Sequence, residues 1–161
     1  MAETLGSLVD KLSIKNLRLW HLDEALEAMG DMDSNWEEMR VKRELVLKQS
    51  RELMEEINGY FAAALEGKVK IRDEKVKLYD NKNVKPSDGI KELGVAISEL
   101  SLRNIRCWHL EDEVRREDLP DSEIVKLKRK IDATNQERND LMDKVDQILS
   151  NEAARKKGGP S

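Results

Sequence analysis

An internal repeat limits the possible folds of this chain more than any other feature of the sequence. The segment LGSLVDKLSIKNLRLWHL, which begins at Leu5, aligns without gaps with LGVAISELSLRNIRCWHL, which begins 88 positions later at Leu93. Farther along, ELMEEI from Glu52 aligns with DLMDKV from Asp140 at the same offset. The repeat predicts two related helical hairpins, each with an apolar stripe that one hairpin cannot bury alone.

Helix-breaking and capping residues divide the first copy into two helices. Apolar residues recur at intervals of three and four over residues 4–29, and Gly30 suits the left-handed turn that ends helices. Ser34 followed by Glu37 predicts a capping box for a second helix that runs to about Glu66.

The second copy has similar boundaries. Ser87 and Asp88 are predicted caps of a third helix that ends near Asp118, and Pro120 fits the first turn of a fourth helix. The last residues, 151–161, end in KKGGPS and are predicted to form a flexible tail.

The predicted fold class is therefore all-α, with two duplicated helical hairpins packed as an antiparallel four-helix bundle. One domain is expected over residues 1–150, consisting of repeat one at 4–66, a linker at 67–88 and repeat two at 89–150. The linker can be a charged connection or a small β-hairpin, because apolar residues alternate within it. These residues are Val69, Ile71, Val76 and Leu78.

Composition and charge argue against several functional classes. The chain has 33 acidic and 29 basic residues, which are intermixed, so no sustained basic field is available for nucleic acid. No run of about 18 apolar residues and no basic-then-apolar N-terminal signal occur, so we expect no membrane association. The single cysteine, Cys107, cannot form an internal disulfide. A cytoplasmic location is the resulting expectation.

Polar residues fall on the apolar stripe of three predicted helices when the residues are placed 100° apart on a helical wheel. Such a layer must pair internally or bind something, because an isolated buried ion is very costly. Arg138 is the expected partner of Asp23 or Glu111. The layer consists of Asn16 and Asp23 in the first helix, Asn104 and Glu111 in the third, and Asn135 and Arg138 in the fourth.

This layer has two interpretations. Buried polar groups can fix the register of a bundle, or they can orient a small polar or anionic ligand in a pocket between the helices. Trp20 and Trp108 lie about 60° from the stripe centre, where they suit either a helix seam or an aromatic wall. The predicted ligand-binding residues are Asn16, Trp20, Asp23, Asn104, Trp108, Glu111, Asn135 and Arg138.

A second apolar face is predicted on the first and third helices, beside the two histidines of the repeated phrase. It contains Ile14, Leu17, Leu102 and Ile105. A second face needs a second neighbour, and a homodimer is the expected form.

Metal binding by the histidines is the alternative that spacing alone suggests. His21 precedes Glu24 by three positions and His109 precedes Asp112 by three, so each pair adjoins on a helix. The order is the reverse of the Glu-x-x-His pattern of di-iron bundles. We therefore expect no cofactor and no transition metal that is needed for folding.

Three segments resemble one family: KLSIKNLRLWHLDE, ELSLRNIRCWHLEDEVR and IDATNQERNDLMDKVD are similar to a bacterial family catalogued only as a domain of unknown function. The resemblance covers most of residues 93–149 and, less completely, the first half. The second helix has Leu47 and Ser50 in place of Asn135 and Arg138, which argues against two equivalent sites. The resemblance implies no activity. It is carried by Trp108, His109, Glu111, Asp112, Asn135, Arg138 and Asn139.

Three functions remain open from the sequence. We favour a non-catalytic helical module that binds a small polar or anionic ligand, or a partner, at the polar layer. The alternatives are a structural oligomeric scaffold and a metal-dependent nucleotide hydrolase similar to the all-helical nucleoside triphosphate pyrophosphatases. The chain does not cleanly carry the Glu-Glu-x-x-Glu pattern of those enzymes, although it has carboxylates at Glu37, Glu38, Glu52, Glu55 and Glu56.

Overall fold

A computed structural model describes residues 3–71 and 87–158. Over these two stretches the chain forms helices and short turns, with no β-strand. The all-α prediction is confirmed. The helices are α1 (Leu5–Met29), α2 (Trp36–Leu65), α3 (Leu93–Val114) and α4 (Asp121–Gly158).

The first helix begins and ends where the sequence predicts. The Thr4 side chain accepts a hydrogen bond from the backbone N–H of Ser7, and the Thr4 N–H donates to Ser7 Oγ at 2.9 Å. This reciprocal capping satisfies two backbone groups that the first turn leaves free. Gly30 ends the helix at φ 71°, a conformation that glycine adopts without steric cost.

The start of α2 differs from the prediction, because the expected Ser34–Glu37 capping box does not form. The helix begins at Trp36, and Asn35 at the cap makes no side-chain capping bond. Asp33 instead accepts a hydrogen bond from the Asn35 N–H at 2.8 Å, and Glu37 pairs with Arg40. Both carboxylate oxygens of Glu37 accept from Arg40, so they do not bond back to the Ser34 N–H as a capping box requires.

Helix α3 is shorter than predicted at both ends. A turn closed by the Ile90 N–H and the Ser87 carbonyl, with Gly89 at φ 84°, precedes the helix, so Ser87 and Asp88 do not cap it. At the other end, the Arg115 N–H bonds to the Asp112 carbonyl at 3.3 Å, which tightens the last turn before residue 118.

Helix α4 is longer than predicted. It continues to Gly158, and Ala153 is buried against the rest of the protein. The helix thus includes residues 151–158 of the predicted tail, and residues 159–161 lie outside the described part. Apolar contacts stabilise the last turns, although the composition there is polar.

The helices pack as two antiparallel hairpins, as predicted. In the first hairpin, Lys15 Nζ donates to Gln49 Oε1 at 2.6 Å. In the second hairpin, Arg103 Nε donates to Glu137 Oε2 at 2.7 Å. Helix α1 also packs against α3 and α4, whereas α2 packs mainly against α1. The second hairpin is thus joined to the first mostly through α1.

The main apolar core lies at one end of the bundle, where α1 and α3 begin and α2 and α4 end. It contains Leu5, Ala64, Ala96, Val145 and Leu149. Two linker residues named above, Val69 and Ile71, pack against this core. The other two, Val76 and Leu78, lie outside the described residues.

Candidate functional site

Helices α1 and α4 approach each other closely at Gly6. A Cβ atom at this position would lie 2.3 Å from the backbone oxygen of Met142, so only glycine fits without a shift. The Gly6 N–H donates to Asp146 Oδ1 at 2.7 Å, which satisfies a first-turn N–H of α1 with a side chain of α4. This contact fixes the position of α4 along α1.

One turn farther along, a polar network joins α1, α3 and α4. Arg138 Nη2 donates to both carboxylate oxygens of Asp10, at 2.9 and 3.1 Å. The Asn104 amide donates to Asp10 Oδ1 at 2.9 Å, and Arg138 Nη1 donates to Asn135 Oδ1 at 2.8 Å. The Asp10 and Arg138 side chains are only 10% and 20% exposed, so each charge depends on the other for compensation.

A cavity of about 370 Å³ opens beside this network. The Arg138 side chain lines it, and the buried Nε of Arg138 has no hydrogen-bond partner among the described residues. We call it the polar cavity. It is lined by Ile14, Leu17, Arg18, Asn104, Cys107, Trp108, Glu111, Asp112, Arg115, Asn135 and Arg138.

A larger groove of about 570 Å³ runs between α1 and α3. Both helices contribute residues at equivalent repeat positions to its lining. The walls are mostly apolar, with Trp20, Glu24 and the two histidines among the lining residues. The equivalent pairs are Val9 and Ile97, Ser13 and Ser101, Leu17 and Ile105, and His21 and His109.

An aromatic stack separates the two spaces. The rings of His21 and Trp108 lie 4.3 Å apart with an interplanar angle of 9°. His21 lines the groove and Trp108 lines the polar cavity, so the stack forms part of the wall between them. Trp108 is thus partly buried at a helix seam, as one of the two sequence interpretations expects.

The structure divides the eight predicted ligand-binding residues among three places. The polar cavity contains Asn104, Trp108, Glu111, Asn135 and Arg138. The groove contains Asn16 and Trp20, both exposed. Asp23 belongs to neither lining.

The predicted partners of Arg138 are wrong. Asp23 pairs with Arg43 of α2 instead, and Glu111 is exposed at the cavity wall. The wheel places Asp10 about 100° from Val9, away from the stripe, yet Asp10 is the carboxylate that Arg138 binds. The sequence did contain a pattern that places Asp10 on a buried face. Asp10 precedes Ile14 by four positions and Leu17 by seven, so it shares the second apolar face with them.

The polar network has no counterpart in the other half of the repeat. Ser98 stands where the first copy has Asp10, and Ser50 stands where the second copy has Arg138. Ser50 is buried and donates to the Val46 carbonyl at 3.0 Å. The substitution of both charges by serine explains why the sites are not equivalent, in agreement with the departure of the second helix from the family motif.

The two predicted histidine–acid pairs do not form one metal-binding cluster. His21 Nδ1 lies 3.2 Å from Glu24, whereas Asp112 lies near Arg115 and His109 is exposed. Within residues 3–71 and 87–158, no three or more His, Cys, Asp or Glu side chains form a metal-binding group.

Cys107 lies inside the network rather than at a reactive surface. Its thiol donates to Asn135 Oδ1 at 3.6 Å. Burial raises the pKa of this thiol above its ordinary value, and the nearby Arg138 guanidinium opposes the effect only in part. The thiolate that a nucleophile requires is therefore disfavoured at neutral pH.

Comparison with known proteins identifies a family. The model of the family described as "Protein of unknown function (DUF4254)" matches residues 1–72 and 95–160. The chain belongs to this family. Neither the curated proteins nor the solved structures gave a match. Among the described helices, none combines the length and apolar character needed to cross a membrane.

Proposed function

We propose that this protein is a non-catalytic helical module that binds a small anionic ligand in the polar cavity. The observation that carries the proposal is Arg138, which lines the cavity and whose buried Nε has no hydrogen-bond partner among the described residues. A carboxylate or phosphate oxygen is the natural acceptor for such a donor. The proposal includes a cytoplasmic location, supported by the lack of a second cysteine.

The other walls of the cavity offer further guanidinium donors to an anion. Two more guanidinium groups, those of Arg18 and Arg115, lie at the cavity, and both residues are exposed. The lining thus includes three arginines and the carboxylates of Glu111 and Asp112, while Asp10 pairs with Arg138 and Asp112 lies 3.7 Å from Arg115. Fork-shaped donors match the planar oxygens of carboxylates and phosphates better than lysines do.

The cavity also has groups that can orient a ligand. The carboxamides of Asn104 and Asn135 line it, and one face of the Trp108 ring is held by the stack on His21. A volume of about 370 Å³ falls within the usual range for small-molecule sites. These features favour a compact anion with a flat or apolar part that contacts the indole.

No observation in the described residues favours the hydrolase alternative. Glu37 and Glu38 are exposed and pair with Arg40 and Lys42 along α2. Glu52 and Glu56 line a separate hollow between α1 and α2, beside lysines and an arginine. The scaffold alternative is compatible with binding.

The proposal is tested by thermal melts and Trp fluorescence with inorganic phosphate, pyrophosphate, nucleotides, sugar phosphates and amino acids. A ligand at 100 times its Kd should stabilise the protein by about 2.7 kcal/mol, which raises the Tm by several degrees. Arg115→Ala should weaken this shift without a large loss of intrinsic stability, because Arg115 is exposed. Arg129→Ala, an exposed arginine of α4 outside the cavity lining, is the matched control.

A second variant separates binding from folding. Arg138→Lys keeps a positive charge near Asp10 but removes the Nε donor and the fork geometry. We expect the variant to remain folded and to lose most of the ligand-induced shift. The proposal is contradicted if no probe shifts the wild-type Tm, or if all variants show the same shift.

A further inference from the structure

The polar cavity has charged groups of both signs in its lining, and contacts within the chain satisfy only some of them. Arg138 binds Asp10 at 2.9 Å across the network. Arg115 lies 3.7 Å from Asp112, three positions earlier in the chain. Both of these guanidinium groups therefore have a carboxylate nearby, although the Nε atom of Arg138 has no hydrogen-bond partner among the described residues.

Two other charged side chains of the lining have no such contact. The side chains of Arg18 on α1 and Glu111 on α3 form no hydrogen bond and no ion pair with any residue in 3–71 or 87–158. They carry opposite charges and belong to different walls of the cavity. Both residues are exposed, so neither charge needs a partner for folding, and both are available to a ligand.

The Cys107 thiol lies within the electrostatic reach of both a cation and an anion of the cavity. Burial is the main cause of its raised pKa, which the Arg138 guanidinium opposes and the Glu111 carboxylate increases. Glu111 follows Cys107 by four positions, which places the two side chains on the same face of α3. A ligand beside this thiol therefore meets a guanidinium on the α4 side and a carboxylate on the α3 side.

An apolar surface completes the cavity. Ile14 and Leu17 of α1, predicted above as part of a second apolar face, are partly buried and line the cavity. The Trp108 ring lies on the α3 side, and its stack on His21 holds its plane. An aliphatic or aromatic group of a ligand can leave water by contact with these side chains.

We propose that the ligand of the polar cavity is an α-amino acid with an apolar or aromatic side chain. This inference rests on the proposed function and names the chemical class of its ligand. The α-carboxylate is the anionic group, and it accepts from the Nε–H of Arg138 and from the Arg18 guanidinium. The α-ammonium group donates to the Glu111 carboxylate. The side chain of the ligand packs on the apolar α1 residues and the indole.

The mixture of charges favours this class over other small anions. A phosphate or a simple carboxylate uses the guanidinium groups but brings its negative charge near Glu111, which repels it. A simple amine uses Glu111 but brings its positive charge near Arg138. A zwitterion whose two charged groups are a few bonds apart compensates both within one cavity of about 370 Å³.

Isothermal titration calorimetry with matched probes tests the inference. L-phenylalanine carries both charges, hydrocinnamate lacks the ammonium group, and phenethylamine lacks the carboxylate. We expect L-phenylalanine to bind at least about tenfold more tightly than either analogue, because each analogue leaves one charged group of the cavity without a partner. L-leucine should also bind, whereas glycine should bind more weakly than both, because it has no side chain to bury.

Glu111→Gln tests the ammonium contact. The variant should bind L-phenylalanine at least about tenfold more weakly than wild type, and it should bind hydrocinnamate at least as tightly as wild type does. A general loss of structure would weaken both ligands, so a selective loss identifies the contact. Glu113→Gln, the same change at an exposed α3 residue outside the lining, is the matched control and should alter neither affinity.

The outcomes separate this inference from the proposed function. Equal affinities for L-phenylalanine and hydrocinnamate overturn the inference, as does a Glu113→Gln variant that loses as much affinity as Glu111→Gln. Binding of inorganic phosphate, pyrophosphate or a sugar phosphate, but of neither L-phenylalanine nor L-leucine, also overturns it and leaves the proposed function in place. If none of these probes binds, both fail together.

Discussion

His21 of the first repeat stacks on Trp108 of the second, with ring centroids 4.3 Å apart. Both residues come from the same repeated Trp-His phrase, but each copy contributes a different member. The opposite combination, Trp20 with His109, does not form a stack, and Trp20 is 64% exposed. The duplicated phrase therefore supplies one interface contact between the two hairpins and leaves the other pair of rings accessible.

The stack predicts unequal effects at two equivalent histidines. His21→Ala should lower the free energy of unfolding by about 1 kcal/mol, because it removes an aromatic pair from the seam between α1 and α3. It should also change the fluorescence and near-UV circular dichroism of Trp108. His109→Ala, at the exposed equivalent, should alter neither by a comparable amount. Equal effects of the two variants would contradict this assignment of the stack.

The Asp10–Arg138 pair predicts strong coupling in a double-mutant cycle. Asp10→Ala or Arg138→Ala alone should each cost about 3 kcal/mol, because the remaining charge is left buried. The double variant should cost clearly less than the sum of the two single variants. Denaturant unfolding measures all three, and Ser98→Ala is the control, since Ser98 is the exposed equivalent of Asp10. Additive losses would mean that the pair does not carry the compensation described here.

Alanine substitutions at the two equivalent glycines, Gly6 and Gly94, should differ clearly in their effect on stability. Gly6→Ala should destabilise the protein by about 2 kcal/mol, because the new Cβ would collide with the Met142 backbone and force α1 away from α4. Gly94→Ala should change stability by less than about 0.5 kcal/mol, because no atom lies within 4 Å of its Cβ position. Thermal melts of both variants check the prediction. A mild Gly6→Ala would show that the helices can separate at little cost.

The reactivity of the Cys107 thiol should depend on pH differently in the native and the unfolded protein. Its pKa is raised by burial, so the native protein holds the thiol proton at pH values where a free thiol, with a pKa of about 8.5, has lost it. Alkylation by iodoacetamide should rise with pH later in the native protein than in the urea-unfolded chain. The same shift means that stability should fall as pH rises through the unfolded value, and Cys107→Ala should lack this contribution. Coincident alkylation profiles in the two states would contradict the prediction.

Most of the fold was predictable because the repeat, the helix periods and the glycines all indicate the same hairpins. The errors occurred where local chemistry allows several solutions. Ser34 is a good capping residue by sequence, but Glu37, its expected capping-box partner, bonds to Arg40 instead. Residues 151–158 are polar, yet packing around Ala153 keeps them helical.

The candidate site was predictable only in part, for a geometric reason. A helical wheel indicates which residues share a face, but it does not show which neighbouring helix covers that face. The wheel placed Arg138 at an inner layer correctly, but it could not distinguish the side of α1 that meets α4 from the side that meets α2. Asp23 was therefore assigned to Arg138, whereas the structure gives it to Arg43.

The residues that join α1 to α4 are far apart in the sequence, and this affects the order of folding during synthesis. Asp10 and Arg138 are 128 positions apart in the chain, and Gly6 and Asp146 are 140 apart. The first hairpin consists of local contacts and can form as soon as α2 has left the ribosome. Its Asp10 carboxylate must then remain hydrated until nearly the whole chain has been made. Burial of an unpaired carboxylate is costly, so until Arg138 has been synthesised Asp10 should disfavour non-native packing of the α1 face on which it lies.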